Sequence, residues 1–353
     1  MRGAVRRRGR MPPVAGSPWR LTAGAGLALT AVLFLLPLLT VRGEGGGAAG
    51  ETENAPLTAT APEGQTTRAA RDRGHIVKLL QPDGTVEELT MADYLFGVVA
   101  AEMPAAFEEE ALKAQACAAR TYTVVRQASA HAAHPQADVC TDSGCCQAYV
   151  ERQAAETRWG ISAGTYSAKI SQAVADTDGL GILYQGAPIQ AVFFSSAPGQ
   201  TADAVAVWGS QVDYLKSVSS PERDEVPNYR SQVVLTAEEV RSRVLAAYPG
   251  ADLSGDPSGW FGTPASSGGA VTSIPVGGVT LTGSQVRTLF SLRSAAFTVA
   301  WDGTSFTFSV TGYGHGVGMS QYGANAMAKE GSSFRDILTW YYTGAQVDDL
   351  WAE

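Results

Sequence analysis

Three pairs of short apolar runs, each broken by a tight-turn dipeptide, set the limits on what this chain can become. Ile76–Leu80 and Val86–Leu89 flank Gln81-Pro82-Asp83-Gly84-Thr85. Ile182–Tyr184 and Ile189–Ser195 flank Gln185-Gly186, and Thr298–Trp301 and Ser305–Val310 flank Asp302-Gly303. Pro presets φ for a turn and Gly supplies the positive φ that tight hairpins need, so each pair predicts an antiparallel hairpin. Helical stretches lie between them with no regular βαβ order. The pattern points to an α+β body.

The helices announce themselves by their caps. Thr90 and Asp93 open Met91–Ala101 as a capping box would. A second helix follows Pro104, with Glu108, Glu109 and Glu110 at its positive end. Its small residues Ala114, Ala118 and Thr121 recur at helical spacing, so another element is expected to pack closely there. Thr236-Ala237-Glu238-Glu239 opens a helix that ends near Tyr248-Pro249-Gly250, and Gly250–Gly269 reads as a loop. Met319–Lys329 reads as helix, and Ser333 and Asp336 cap a last one through Tyr342. There is no internal repeat.

The N-terminal part is of another kind. The first 20 residues hold six Arg and no acid, and Leu21–Val41 is almost wholly apolar. Crossing a bilayer takes about 20 such residues, and flanking Arg keeps the preceding segment cytoplasmic. Two readings are open: a retained signal anchor, or a cleaved secretion signal. The run is longer than a usual signal core and lacks a neighbouring small-x-small site, which favours the anchor. Arg42–Gly74 carries few large apolar residues and reads as a flexible tether. The expected organisation is a cytoplasmic basic segment 1–20, a membrane anchor 21–41, a linker 42–74 and an extracytoplasmic domain 75–353. The protein would thus be single-pass in the cell membrane. Beyond residue 20 the chain holds 20 basic against 34 acidic residues, which argues against a nucleic-acid partner.

Three places could carry chemistry. Glu102 ends the apolar run Phe96-Gly97-Val98-Val99-Ala100-Ala101 and precedes Met103-Pro104. A carboxyl among apolar neighbours has a raised pKa and suits a general acid. Thr311–Ala324 has Gly at 312, 314, 316 and 318, interleaved with Tyr313 and His315 and followed by Gln321 and Tyr322. Alternate glycines strip one face of an extended segment, which lets a sugar approach the backbone. The spacing is neither a dinucleotide fingerprint nor a phosphate loop. Finally, His134, Cys140, Cys145 and Cys146 fall within 13 positions. They could hold a structural zinc, or Cys140 could form a disulfide with Cys145 or Cys146. Cys117 reads as a small buried residue.

Val98–Thr121, Asp138–Tyr149, Phe193–Val218, Gly283–Ser294 and Gly312–Gly344 together resemble the stage II sporulation protein D family. The resemblance implies a mixed two-lobed body with a glycan-binding cleft. It implies that Glu102, in Ala-Glu-Met-Pro, is catalytic, and that Arg120, Tyr214, Lys216, His315, Ser320 and Gln321 bind substrate. Phe194 stands where family members often carry His, so the resemblance carries over no sugar contact by that histidine. Some members have a metal loop reading His-Cys where this chain has Cys145-Cys146.

The activity implied is that of a peptidoglycan lytic transglycosylase. It acts on denuded glycan strands during engulfment in sporulation, beside membrane-bound wall proteins that include an amidase. Ordinary glycosidases use two carboxylates, whereas the resemblance identifies one. A lytic transglycosylase needs only one, because the muramyl C6 hydroxyl is the nucleophile, and no cofactor enters the chemistry. The rival readings are a non-catalytic glycan-binding enhancer of a wall amidase, and a zinc-dependent hydrolase, which would require an open coordination position.

Overall fold

The computed structural model describes residues 70–129 and 132–352. The expected cytoplasmic stretch, the membrane segment and most of the tether lie outside them. Among the described residues no helix is long and apolar enough to cross a membrane. The tether ends earlier than its composition predicts: Ala70–Arg73 is a helical turn, and Asp72 is fully buried.

Two separate apolar cores give the body two lobes, both in a mixed α+β arrangement of small sheets and helices. The axis of the larger lobe is the helix Glu109–Gln127, whose Ala111, Ala114, Ala116, Cys117, Ala118 and Ala119 are fully buried. Small side chains let four helices pack against it: Met91–Glu102, Ala163–Asp176, Gln321–Lys329 and Phe334–Tyr341. The expected close packing at Thr121 is a strand. Its Oγ1 donates to the Cys117 carbonyl at 2.7 Å and accepts the Ile182 N–H at 2.9 Å. At one edge, Ile76–Leu80 and Val86–Thr90 pair antiparallel as expected, and Val139–Cys140 adds in parallel.

The Gln185-Gly186 hairpin is shorter than its sequence promises. Leu180–Tyr184 pairs with Ala187–Pro188 on one side and with the C-terminal strand Gln346–Asp349 on the other. Phe193–Phe194 leaves that sheet and pairs in parallel with Met319–Ser320. The helix expected from Met319 therefore starts at Gln321, with Ser320 as its N-cap.

The smaller lobe is built on Phe297–Trp301, Ser305–Thr311 and Arg230–Thr236, all antiparallel. Phe306, Phe308 and Val310 alternate inward and meet Phe290 and Trp260. A fully buried side chain of this size contributes about 1.5–3 kcal/mol. Ala265–Ser267, Ala270–Val276 and Val279–Thr282 form a second sheet, and the helices Ala237–Ala247 and Gly283–Phe290 complete the lobe.

The chain returns to the larger lobe through Gly312–Gly318. Tyr313 and Ser196 exchange backbone hydrogen bonds at 2.9 and 3.0 Å. All four glycines have positive φ. A Cβ at Gly318 would lie 2.2 Å from the Val192 carbonyl oxygen, and one at Gly314 would lie 2.7 Å from Phe194 Cβ. This corrects the sequence reading: these two glycines close the strap onto residues 192–194 and do not clear a face for a ligand.

Candidate active site

Glu102 is the last residue of its helix. Met103 is extended (φ −121°, ψ 145°), as a residue before proline must be, and the helix stops there. The half-buried carboxyl is held from two directions. Oε1 accepts the Ala148 N–H at 2.7 Å, and Oε2 accepts Gln321 Nε2–H at 3.2 Å. Burial raises the pKa of Glu102 above the usual carboxylate value, and these two hydrogen bonds offset part of that rise. The helix C-terminus adds its own negative pole. Gln321 Nε2 also lies 3.5 Å from Oε1 of the fully buried Gln115. The turn after Glu102 is tied to the same helix: Asn325 Oδ1 accepts the Glu108 N–H at 2.8 Å, and Tyr322 packs edge-on against Phe107 at 4.9 Å.

The Ala148 donor comes from a loop laid flat on the Glu102 helix. A Cβ at Gly97 would lie 2.2 Å from Tyr149 Cε2, so glycine is needed for this approach. Tyr149 stacks on Tyr94 with centroids 5.9 Å apart. Gln147 Nε2 donates to the Tyr94 hydroxyl and to Thr123 Oγ1, both at 3.2 Å.

The four metal-ligand candidates stand directly before that loop. One donor atom from each of His134, Cys140, Cys145 and Cys146 lies within 4.8 Å of the others. His134 Nδ1 is 3.1 Å from the Ala137 carbonyl, which as a donor turns Nε2 toward the sulfurs, 3.2 Å from Cys146 Sγ. Cys145 and Cys146 Sγ are 4.0 Å apart, and all four cysteines of the chain are free thiols. A disulfide needs about 2.05 Å, whereas the edge of a tetrahedral zinc–thiolate site is about 3.8 Å. The spacing fits a four-ligand metal centre. One residue, Gln147, separates Cys146 from the Ala148 amide that holds Glu102.

The structure brings only some of the expected substrate contacts together. Gln321 reaches Glu102. Ser320 is fully buried beside it, donating to Glu222 and capping the helix at Gly323 N–H, 3.2 Å away. His315 is pinned by backbone: Nε2–H donates to the Phe193 carbonyl at 2.9 Å, and Nδ1 accepts the Val317 N–H at 3.2 Å. Burial pushes its pKa down to about 4, so it is neutral at pH 7. Its ring packs against Phe194, the residue standing where the family often has His, with centroids 5.5 Å apart. Tyr214 secures a loop, its hydroxyl accepting the Gln190 N–H at 3.1 Å. Lys216 is exposed on a segment bonded through Thr201 and Ala202 to the strap at Gly316.

Arg120 is placed elsewhere. It is 0% exposed and bonds Asp72, also 0% exposed, through Nε at 2.9 Å and Nη2 at 2.6 Å. Nη1 donates to the Leu180 carbonyl at 2.7 Å. This guanidinium is a structural ion pair with no surface for glycan, which corrects its assignment as a substrate contact. Lys113 is likewise committed, to Glu110 at 2.9 Å and Asp176 at 3.2 Å.

Sequence reasoning missed two parts of the site. Ala148 acts through its backbone, which no side-chain pattern announces. Glu222 is a second fully buried carboxylate, accepting the Ala197 N–H at 2.6 Å and the Ser320 hydroxyl. It fixes the cap of the helix that carries Gln321, and its burial keeps it from any substrate.

The sequence as a whole is similar to known proteins. A family model described as stage II sporulation protein matches residues 82–184. Stage II sporulation protein D of Bacillus subtilis (strain 168) is 38% identical over 327 residues, covering 91% of this chain and 94% of that protein. The Bacillus amyloliquefaciens protein of the same name is 37% identical over 266 residues, covering 75% of this chain and 76% of its own. An amidase enhancer of Bacillus subtilis (strain 168) is 27% identical over 304 residues, covering 72% of this chain and 40% of the enhancer. A relative at 38% identity, matched over 94% of its length, shows that the chain belongs to the stage II sporulation protein D family.

Proposed function

We propose that the protein is a membrane-anchored peptidoglycan lytic transglycosylase that remodels the cell wall during sporulation. The observation that carries this reading is one partly buried carboxyl with a raised pKa, Glu102, held by two neutral donors. The second buried carboxylate, Glu222, is committed to Ser320 and Ala197 and is closed to substrate. A site built on Glu102, with the neighbouring buried Glu222 closed off, matches intramolecular ring closure better than a two-carboxylate hydrolysis.

In the proposed reaction, protonated Glu102 donates to the oxygen linking N-acetylmuramic acid to N-acetylglucosamine. The C1–O bond breaks. The Glu102 carboxylate then takes the proton of the muramyl C6 hydroxyl as its oxygen bonds C1, giving a 1,6-anhydro end. The Ala148 and Gln321 donors aim the carboxylate and limit the rise of its pKa, so that it can both give and regain a proton. In this reading Lys216 and Tyr214 would contact the glycan.

His134, Cys140, Cys145 and Cys146 would hold a structural zinc. A closed four-ligand set would leave no position for an activated water, so the metal would serve to fix the loop that ends at Ala148. The 27% identity to an amidase enhancer favours a second reading, a glycan-binding partner of a wall amidase. Product analysis separates the two. Denuded glycan incubated with the protein should yield 1,6-anhydromuramyl ends by mass spectrometry. Reducing ends would indicate a hydrolase, and intact glycan would favour the enhancer.

A further inference from the structure

The strap beside the active site holds a cation that the proposed reaction does not use. Arg293 follows the helix Gly283–Phe290. Its carbonyl is fixed by the Gly314 N–H at 3.0 Å and by Arg287 Nε–H at 3.2 Å. Its guanidinium carbon lies 4.1 Å from the centroid of the Tyr313 ring. Its Nε is buried with no hydrogen-bond partner, and no ion pair holds the guanidinium among the described residues. Arg287 adds a second positive charge behind it. Tyr313 connects to the Glu102 site through bonded neighbours: Tyr313 pairs with Ser196, the Ser195 carbonyl accepts the Tyr322 N–H at 3.0 Å, and Gln321 binds Glu102.

A partly desolvated guanidinium with unused donors is costly unless an anion meets it. Among the described residues no carboxylate meets it, which leaves the guanidinium open to an anionic group of the ligand. On the reading given above, the ligand is glycan, and the ionisable group of an unmodified strand is the 3-O-lactyl carboxyl of each muramyl residue. Where a stem peptide is attached, that carboxyl is a neutral amide; on a stripped strand it is a carboxylate. We infer that Arg293 binds the muramyl lactyl carboxylate and thereby selects peptide-free strands.

The test uses the full-length chain carrying Glu102→Gln, which binds without turnover. Its affinity is measured for peptide-free glycan oligosaccharides and for the same oligosaccharides with every lactyl carboxyl converted to the primary amide. The carboxylate form should bind about 10- to 100-fold more tightly, the range for a hydrogen bond to a charged group. Adding Arg293→Gln should make the two forms bind equally. If that variant does not fold, Arg293→Lys should reduce the preference without abolishing it. Equal binding of the two forms by the Glu102→Gln chain, or a preference that survives either substitution unchanged, overturns the inference and leaves the transglycosylase reading standing. Failure to bind either form would remove that reading and the inference together.

Discussion

Replacing Arg120 by Met should cost stability heavily, and the structure says how much. Arg120 and Asp72 are both 0% exposed, with bonds of 2.6 and 2.9 Å between them and a third, of 2.7 Å, from Arg120 to the Leu180 carbonyl. The substitution strands the Asp72 carboxylate in a dry interior with one weak donor left, the Gly179 N–H at 3.3 Å. Removing one partner of a buried pair costs about 3–5 kcal/mol, whereas replacing both by apolar groups is often neutral. At about 2–4 °C per kcal/mol for a domain of this size, Arg120→Met should lower Tm by roughly 6–20 °C. The double variant Arg120→Met with Asp72→Ala should lie closer to the parent than the single one does. Thermal unfolding followed by circular dichroism reads both. If Arg120→Met melts like the parent yet loses glycan binding, the ion pair is not structural and the reasoning fails.

Three further outcomes follow from the same geometry. Gly97→Ala gains about 1 kcal/mol of helix propensity but overpacks against Tyr149, at about 1–3 kcal/mol; a lower Tm and slower product release are expected, and a stabilised, fully active variant would contradict the loop's role. Gln321→Leu removes a donor that favours ionised Glu102, so the pKa of Glu102 should rise further. The base-side fall of a pH–rate profile should then move to higher pH, and a move to lower pH would refute the assignment. Elemental analysis should find about one zinc per chain. Stripping it with a chelator should lower Tm, as should Cys146→Ser, while unchanged melting in both cases would remove the metal from the account.

What could be read in the sequence was what local chemistry decides. The hairpins around Asp83-Gly84 and Asp302-Gly303 formed where their turns required, and Thr236, Thr90 and Ser333 cap the helices expected of them. Phe193–Phe194 was misread because a two-residue strand takes its partner from position 319, over a hundred residues away. The helices Arg152–Trp159 and Ala163–Asp176 had no cap signature, and neither has a side-chain hydrogen bond at its N-cap. The partly buried placement of Glu102 at a helix end was legible from its apolar approach and from the proline that ends its helix. Arg120 was not, because a motif names a residue without saying which way it faces. The buried Glu222 and the Ala148 amide owe their roles to tertiary placement alone.

The central claim is that Glu102 is the proton donor of a glycan-cleaving site. Wild type and Glu102→Gln, incubated side by side with denuded glycan, test it most directly when product release and glycan binding are measured on the same samples. Wild type should release 1,6-anhydromuramyl products, and Glu102→Gln should release none while binding glycan and melting no lower than wild type. Product formation by Glu102→Gln at a rate near that of wild type would contradict the account.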